Sequence, residues 1–267
     1  MLAGGTDVFP AKANDAAWGR GREEPVLDLS AIPELRGIAQ DPQGFRIAAA
    51  VTWSELLAAD LPPDFDALRL AAREVGGRQI QNRGTLAGNL CNASPAADGV
   101  PPLLCLDAEV ELVSLEETRR LPLSTFLLDN RSTALRPDEL MSTIFVPRPP
   151  AGARSTFLKL GARRYLVISI AMVAAWLRPD ADGKVAEARI AVGACSPVAQ
   201  RLSKLEADLL GSPLDESLAA TATPCHLEPL APIDDVRASA GYRREAALTL
   251  VRRALAQLAA NPLGRVA

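Results

Sequence analysis

The sequence is poor in the side chains that usually carry catalysis and metal binding. Its 267 residues include one histidine, four cysteines and only 4% aromatic residues. None of the cysteines, which are Cys91, Cys105, Cys195 and Cys225, belongs to a C-x-x-C pair. Structural zinc and iron–sulfur sites need closely spaced thiolates or imidazoles, so we expect no metal held by this chain alone. Scattered cysteines also favour a reducing, cytoplasmic compartment.

Long apolar runs and basic blocks are missing as well. The chain has 29 basic and 32 acidic residues, a net charge of −3, without the clustered basic and aromatic residues typical of a nucleic-acid groove. Its longest apolar run, residues 167–177, is the length of core strands rather than of a membrane span. The beginning also lacks the pattern of a secretory signal. We therefore expect neither nucleic-acid binding nor membrane insertion.

Small polar residues and glycines are concentrated in two stretches. Residues 82–98 read NRGTLAGNLCNASPAAD, and residues 3–7 read AGGTD. Glycine lets a ligand approach backbone N–H groups closely, and short side chains add hydrogen-bond donors beside them. Two such loops together suggest a cradle for a pyrophosphate.

The first half of the chain carries signals of both helix and strand. Thr52 and Glu55 have the spacing of a capping box at the start of a helix. Apolar residues at helical spacing over 68–75 are followed by a Gly76-Gly77 stop, and residues 109–113 alternate like a half-buried strand. Short strands are predicted at 26–29 and 45–48, and a surface loop at 14–24.

The second half reads as strands followed by helices. Prolines 147, 149 and 150 with Gly152 predict a boundary between domains at 1–150 and 153–262. Runs at 155–160 and 168–177, a turn at 180–183 and a run at 185–192 predict an antiparallel hairpin. Two apolar helical stripes close the domain. Cys225 and His226 are adjacent but have no third catalytic partner in view, so we do not expect a nucleophile there.

Several motifs resemble those of a known family. AGGTD at 3–7, RGTLAGN at 83–89 and ASPAAD at 93–98 closely resemble the FAD-binding medium subunit of the molybdenum hydroxylases, of the xanthine dehydrogenase, carbon monoxide dehydrogenase and aldehyde oxidase type. FLK at 157–159 and DVRASA at 235–240 resemble later landmarks of that family.

This resemblance implies an α+β fold. The expected FAD-binding domain is of the vanillyl-alcohol-oxidase/molybdopterin dehydrogenase type, with two α/β subdomains, and precedes a C-terminal domain of antiparallel sheet plus helices. The family normally has a strand–helix lead-in before the first glycine loop, whereas here the loop follows Met1-Leu2, so the first sheet is expected to lack an edge element. The family often has an aspartate shortly after a pair of arginines; this chain has the pair, Arg163-Arg164, but continues with YLVI at 165–168.

The resemblance also implies the cofactor contacts. The first loop lies along the pyrophosphate, while Thr85, Gly88 and Asn89 match contacts to pyrophosphate and ribityl. Asp98 matches an adenosine contact, and Lys159 matches a lysine that reaches the flavin. The full set of expected FAD-binding residues is Ala3, Gly4, Gly5, Thr6, Asp7, Val75, Gly84, Thr85, Leu86, Ala87, Gly88, Asn89, Asn92, Asp98, Leu140 and Lys159.

The implied function is electron transfer rather than side-chain catalysis. A molybdopterin large subunit would oxidise the substrate, an iron–sulfur small subunit would relay electrons to FAD on this chain, and NAD, oxygen, a quinone or another carrier would accept them. Because the flavin performs the redox chemistry, no catalytic residue and no metal ligand is expected here. Two alternatives stay open: a self-contained FAD-dependent oxidase or dehydrogenase, and a flavin-free scaffold subunit.

Overall fold

The computed structural model describes residues 1–19 and 25–260, which form a mixed helix and sheet structure. The helices are α1 (Val8–Ala17), α2 (Trp53–Ala58), α3 (Asp66–Glu74), α4 (Arg78–Gln81), α5 (Leu86–Asn92), α6 (Val100–Cys105), α7 (Leu123–Phe126), α8 (Ser203–Leu209) and α9 (Ala240–Ala260). The strands are β1 (Ile38–Gln40), β2 (Gly44–Ala48), β3 (Glu109–Val113), β4 (Thr118–Pro122), β5 (Leu127–Asp129), β6 (Ser132–Thr133), β7 (Leu140–Pro147), β8 (Arg154–Leu160), β9 (Ala171–Pro179), β10 (Val185–Gly193) and β11 (Gln200–Arg201). Short 3₁₀ turns span Pro33–Leu35, Pro63–Phe65, Glu216–Thr221 and Pro224–Leu227.

An antiparallel sheet in the order β1-β2-β7-β3-β4 forms the centre of the first part. Ile144 of the middle strand lies opposite Ile47 on one side and Val110 on the other, and all three are fully buried. Alternating side chains of a strand point to opposite faces, so these residues share one face and pack in the main core. The sheet supports the helices and loops that form the candidate site.

A second antiparallel sheet, in the order β11-β10-β9-β8, is buried on both faces. On β9, Met172, Ala174 and Trp176 belong to the main core, whereas the intervening Val173 and Ala175 belong to a second core. Helix α9 covers that second face. The main core therefore includes residues from both sides of the predicted boundary at 150. The division into domains 1–150 and 153–262 stays a prediction, and residues 261–262 lie outside the described residues.

Residues 1–19 and 25–29 form a small segment that we call the N-terminal lobe. Leu2 forms an isolated parallel bridge with Asp28: its N–H donates to Leu27 O and its carbonyl accepts from Leu29 N, both at 2.8 Å. The strand predicted at 26–29 is therefore reduced to this single bridge. The loop predicted at 14–24 is wrong for residues 14–17, which continue α1, and residues 20–24 lie outside the described part of the chain.

Most other elements occur where the sequence predicts them. Thr52 Oγ1 accepts from Glu55 N at 3.2 Å, and Glu55 Oε2 accepts from Thr52 N at 2.7 Å, so the capping box is confirmed. Helix α3 ends before Gly76, whose φ of 52° is in the left-handed region. The predicted hairpin is β9–β10. Within the described residues, no helix combines the length and apolar character needed to span a membrane.

Candidate cofactor site

A cleft of about 490 Å³ opens between the N-terminal lobe and the first sheet. Both glycine-rich loops reach it. Thirteen of the sixteen residues expected from the sequence line it: Ala3, Gly4, Gly5, Thr6, Asp7, Val75, Gly84, Thr85, Ala87, Gly88, Asn89, Asn92 and Leu140. The fold thus brings together two loops that lie about 80 residues apart in the sequence.

The two loops pack directly against each other at Gly4. A Cβ atom at this position would lie 1.9 Å from Arg83 O and 2.9 Å from the Cα of Gly84, which no side chain can tolerate. Gly5 has a φ of 72°, and a Cβ there would lie 2.4 Å from the ring of Phe9. These glycines are therefore required by contact between the loops and by a left-handed turn, in addition to any approach of a ligand.

The second loop is anchored to the segment before α2. Trp53 N donates to Gly84 O and Leu86 N donates to Val51 O, both at 3.1 Å, which forms a short antiparallel bridge between Thr52 and Thr85. Leu86 consequently points into the core, where it is fully buried, and does not line the cleft. Its expected role as a cofactor contact stays a prediction.

Thr85 and Asn89 are each held by one hydrogen bond and keep donor groups. Thr85 caps α5, because its hydroxyl oxygen accepts from Gly88 N at 3.0 Å. Asn89 Oδ1 accepts from Gly99 N at 3.3 Å. A hydroxyl that accepts one bond still carries its proton, and an amide whose oxygen is engaged keeps its NH₂ group. Both side chains line the cleft in a fixed position.

Asp98 and Lys159 lie outside the residues that line the cleft and bind each other. Lys159 Nζ is 2.7 Å from Asp98 Oδ2 and 3.3 Å from Glu74 O, and Ser169 Oγ donates to Asp98 Oδ1 at 2.7 Å. Burial raises the pKa of the Asp98 carboxyl, while the Lys159 ammonium and the Ser169 hydroxyl act in the opposite direction. The ion pair ties the segment after α5 to strand β8. Contacts of either residue with a cofactor stay predictions.

Much of the apolar wall was not anticipated from the sequence. Besides Val75 and Leu140, the cleft is lined by apolar residues that include Leu29, Leu35, Ala49, Ala50, Trp53, Ile80 and Met141. They come from separate turns, helices and strands, so only the tertiary fold brings them together.

In the described part of the chain, the thiols and the histidine form neither a metal-binding site nor an activated nucleophile. Cys91 lines the cleft with an exposed thiol, and no described cation lowers its pKa, so it stays mostly protonated at neutral pH. His226 Nε2 is 2.9 Å from Asp208 Oδ2, while its Nδ1 accepts from Thr223 N at 3.0 Å. Nδ1 thus caps the 3₁₀ turn Pro224–Leu227, and Nε2 is occupied by a contact with α8. Among the described residues, no group of three His, Cys, Asp or Glu side chains could hold a metal ion.

The cleft combines two environments that suit a flavin dinucleotide. Backbone N–H groups and short donors of the glycine loops suit a diphosphate, and the apolar wall suits a flat ring system. At Gly4 and Gly88 no side chain covers the backbone that lines the cleft. This fold and this cleft define a dinucleotide-binding subunit.

Comparison with known proteins specifies the class. Residues 1–149 match the family described as "FAD binding domain in molybdopterin dehydrogenase", and residues 156–258 match "CO dehydrogenase flavoprotein C-terminal domain". The chain therefore belongs to the FAD-binding subunits of the molybdenum hydroxylase family. It is an oxidoreductase subunit, and its cofactor is FAD.

Individual relatives are similar to this chain over nearly its whole length. The chain is 29% identical to the xanthine dehydrogenase FAD-binding subunit of Escherichia coli O157:H7, covering 100% of this chain and 90% of that protein. It is 31% identical to 6-hydroxypseudooxynicotine dehydrogenase complex subunit alpha of Paenarthrobacter nicotinovorans, over 96% of this chain and 86% of that protein. The structure resembles that of reconstituted CO dehydrogenase from Oligotropha carboxidovorans with a TM-score of 0.88 and 28% identity, covering 97% and 89%.

The packing around Gly88 predicts a selective loss of cofactor binding. In Gly88→Val, the new Cβ would lie 2.8 Å from Thr85 Oγ1, so it would displace the capping hydroxyl and narrow the floor of the cleft. We expect FAD to be lost on desalting, with a cost in stability of about 1 kcal/mol for the cap. Flavin absorbance and thermal unfolding measure the two effects. Gly241→Val is the control, since nothing lies within 4 Å of that Cβ; unchanged flavin content in Gly88→Val would contradict the assignment of the cleft.

The buried ion pair predicts strong energetic coupling. The Asp98 and Lys159 side chains are 10% and 6% exposed, so Asp98→Ala or Lys159→Met alone leaves a buried group without its partner. We expect each single variant to lower the free energy of unfolding by about 3 kcal/mol, and the double variant to cost clearly less than the sum. Denaturant unfolding of the FAD-free protein measures all three. Additive effects would show that the pair does not act as a unit.

Proposed function

We propose that this chain is the electron-transfer flavoprotein of a molybdenum hydroxylase complex. In this proposal it takes electrons from an iron–sulfur small subunit and passes them to NAD, oxygen, a quinone or another acceptor. The observation that carries the proposal is the cleft in which the two glycine loops pack against each other beside an apolar wall.

The described side chains have binding roles in this proposal. Thr6, Thr85, Asn89 and Asn92 line the cleft beside the loop backbones and offer donors to a diphosphate and a polyol chain. Val75 and Leu140 lie on the apolar wall, where they would exclude water from one side of a ring. FAD, when bound, supplies the redox chemistry, so no side chain of this chain is assigned a catalytic role.

Partner subunits are part of the proposal because the relatives are named as parts of larger assemblies. Those names include a complex subunit and medium chains, and a related structure is titled "Cu,Mo-CO Dehydrogenase". We assign substrate oxidation to a molybdopterin large subunit and electron relay to an iron–sulfur small subunit. A cytoplasmic location is proposed with them, supported by four cysteines that are all unpaired.

The first test concerns how FAD is held. The only thiol that lines the cleft, among the described residues, is protonated Cys91, and His226 is used in a structural cap elsewhere. We therefore expect FAD to be bound without a covalent bond and to be released intact by acid precipitation. Chromatography of the supernatant identifies the flavin. Flavin in the pellet would contradict non-covalent binding, and protein purified without any flavin despite added FAD would favour the scaffold alternative.

The second test separates the complex from a self-contained oxidase. The FAD-loaded chain, kept anaerobic, should not be bleached by aldehydes, alcohols or purines, because the substrate site is assigned to another subunit. Addition of the proposed iron–sulfur and molybdopterin subunits should permit bleaching, followed as loss of absorbance near the long-wavelength flavin band. Fast bleaching of the isolated chain by any of these substrates would favour the self-contained enzyme.

A further inference from the structure

Two non-glycine residues with left-handed backbones face each other beside the cleft. Ala93, directly after α5, has a φ of 44°, and Arg131, in the turn between β5 and β6, has a φ of 58°. Arg131 N donates to Ala93 O at 2.8 Å. Residues with a side chain adopt this conformation rarely and at an energetic cost, so the contact between the two segments holds it in place.

This arrangement places the Arg131 guanidinium on Asn92. Arg131 Nη1 donates to Asn92 O at 3.4 Å and also contacts Asn92 Oδ1. A guanidinium carries only donors, so the carboxamide atom that faces it must be the oxygen. The NH₂ group of Asn92 then lies at the opposite end of the carboxamide. Asn92 lines the cleft, whereas Arg131 does not, and no described residue accepts a hydrogen bond from the Asn92 NH₂ group.

We propose that Arg131 is a positioning residue of the cofactor site, which fixes the Asn92 carboxamide so that its NH₂ group donates to an acceptor oxygen of the bound dinucleotide. The inference rests on the proposed function of the cleft as the FAD site. The acceptor is either a phosphate oxygen or a carbonyl oxygen of the flavin ring, which share the same recognition chemistry.

Orientation matters because the two ends of a carboxamide have opposite polarity. Without the guanidinium, rotation about the last side-chain bond would present Oδ1 to the ligand oxygen in part of the population, and the two acceptors would repel each other. A hydrogen bond from a charged group is stronger than a neutral one, so Arg131 holds one orientation effectively. Losing this donor should weaken binding by about tenfold.

The decisive variants separate the guanidinium from the backbone. Arg131→Gly removes the side chain and also relieves the left-handed strain, so the turn should fold at least as well as in the parent. We expect the dissociation constant of FAD to rise about tenfold in Arg131→Gly and Arg131→Leu. Asn92→Asp keeps an acceptor for Arg131 but presents a carboxylate oxygen to the cleft. It should weaken FAD binding at least as much as the Arg131 variants do. Arg148→Leu is the matched control, since this exposed arginine donates to Asp41 O and neither residue lines the cleft.

A double-mutant cycle shows whether Arg131 acts through Asn92. In the Asn92→Ala background, Arg131→Leu should no longer change the dissociation constant, because the group it positions is gone. Flavin titration monitored by fluorescence quenching gives all four constants, and thermal unfolding without FAD reports folding separately. An equal fold-change in both backgrounds, or an unchanged constant in Arg131→Gly, would overturn the proposal.

Partial ligands identify the acceptor and separate this inference from the function on which it rests. Competition titrations with ADP and with riboflavin should show weaker binding of at least one of these ligands in Arg131→Leu. Weaker binding of ADP would identify a phosphate oxygen as the acceptor, and weaker binding of riboflavin would identify a ring carbonyl. No weakening of either would overturn the proposal. If Gly88→Val loses FAD while the Arg131 variants do not, only the role of Arg131 fails; if Gly88→Val retains FAD, the cleft itself is wrongly assigned.

Discussion

The contact between two stretches of backbone, Gly4 on Arg83–Gly84, is the constraint on which the site depends. It allows no Cβ at Gly4, and it joins a lobe of few residues to a loop that is itself bonded to residues 51–53. Because backbone meets backbone, the position of one loop fixes that of the other to within the tolerance of van der Waals contact. The cleft is the space left between them and the apolar wall. On the side of the loops its shape is therefore set by main-chain packing, and side chains shape the opposite, apolar wall.

The elements that could be predicted from the sequence are those with a local physical signal. The capping box at Thr52 and the β9–β10 hairpin have such signals, and both are confirmed. The sequence predicts a strand at 26–29, yet only Asp28 has a bridging partner, because strand formation depends on which segments lie beside it. Residues 14–17 are helical although the sequence predicts a loop, because α1 buries none of its residues and therefore needs no apolar stripe.

The candidate site likewise contains features that have a local sequence signal and features that have none. Glycine-rich loops are visible in a sequence, and the structure brings both to one cleft. The ion pair of Asp98 with Lys159 joins residues 61 positions apart, and no sequence spacing distinguishes it from two separate ligand contacts. The placement of Arg131 on Asn92 depends on two residues in different turns, Ala93 and Arg131, whose backbones have the left-handed conformation. Such positions have a sequence signal when they are glycine, and here they are alanine and arginine.

Strand β9 has a consequence for biosynthesis. Its residues 171–177 are buried on both faces, one against the main core and the other against α9, which is the last helix among the described residues. A chain emerging from the ribosome exposes the second face of this strand until α9 has been made, about eighty residues further on. Apolar strands in this condition associate readily with one another. Synthesis of α9 thus ends the period in which this face of the nascent chain needs protection from aggregation.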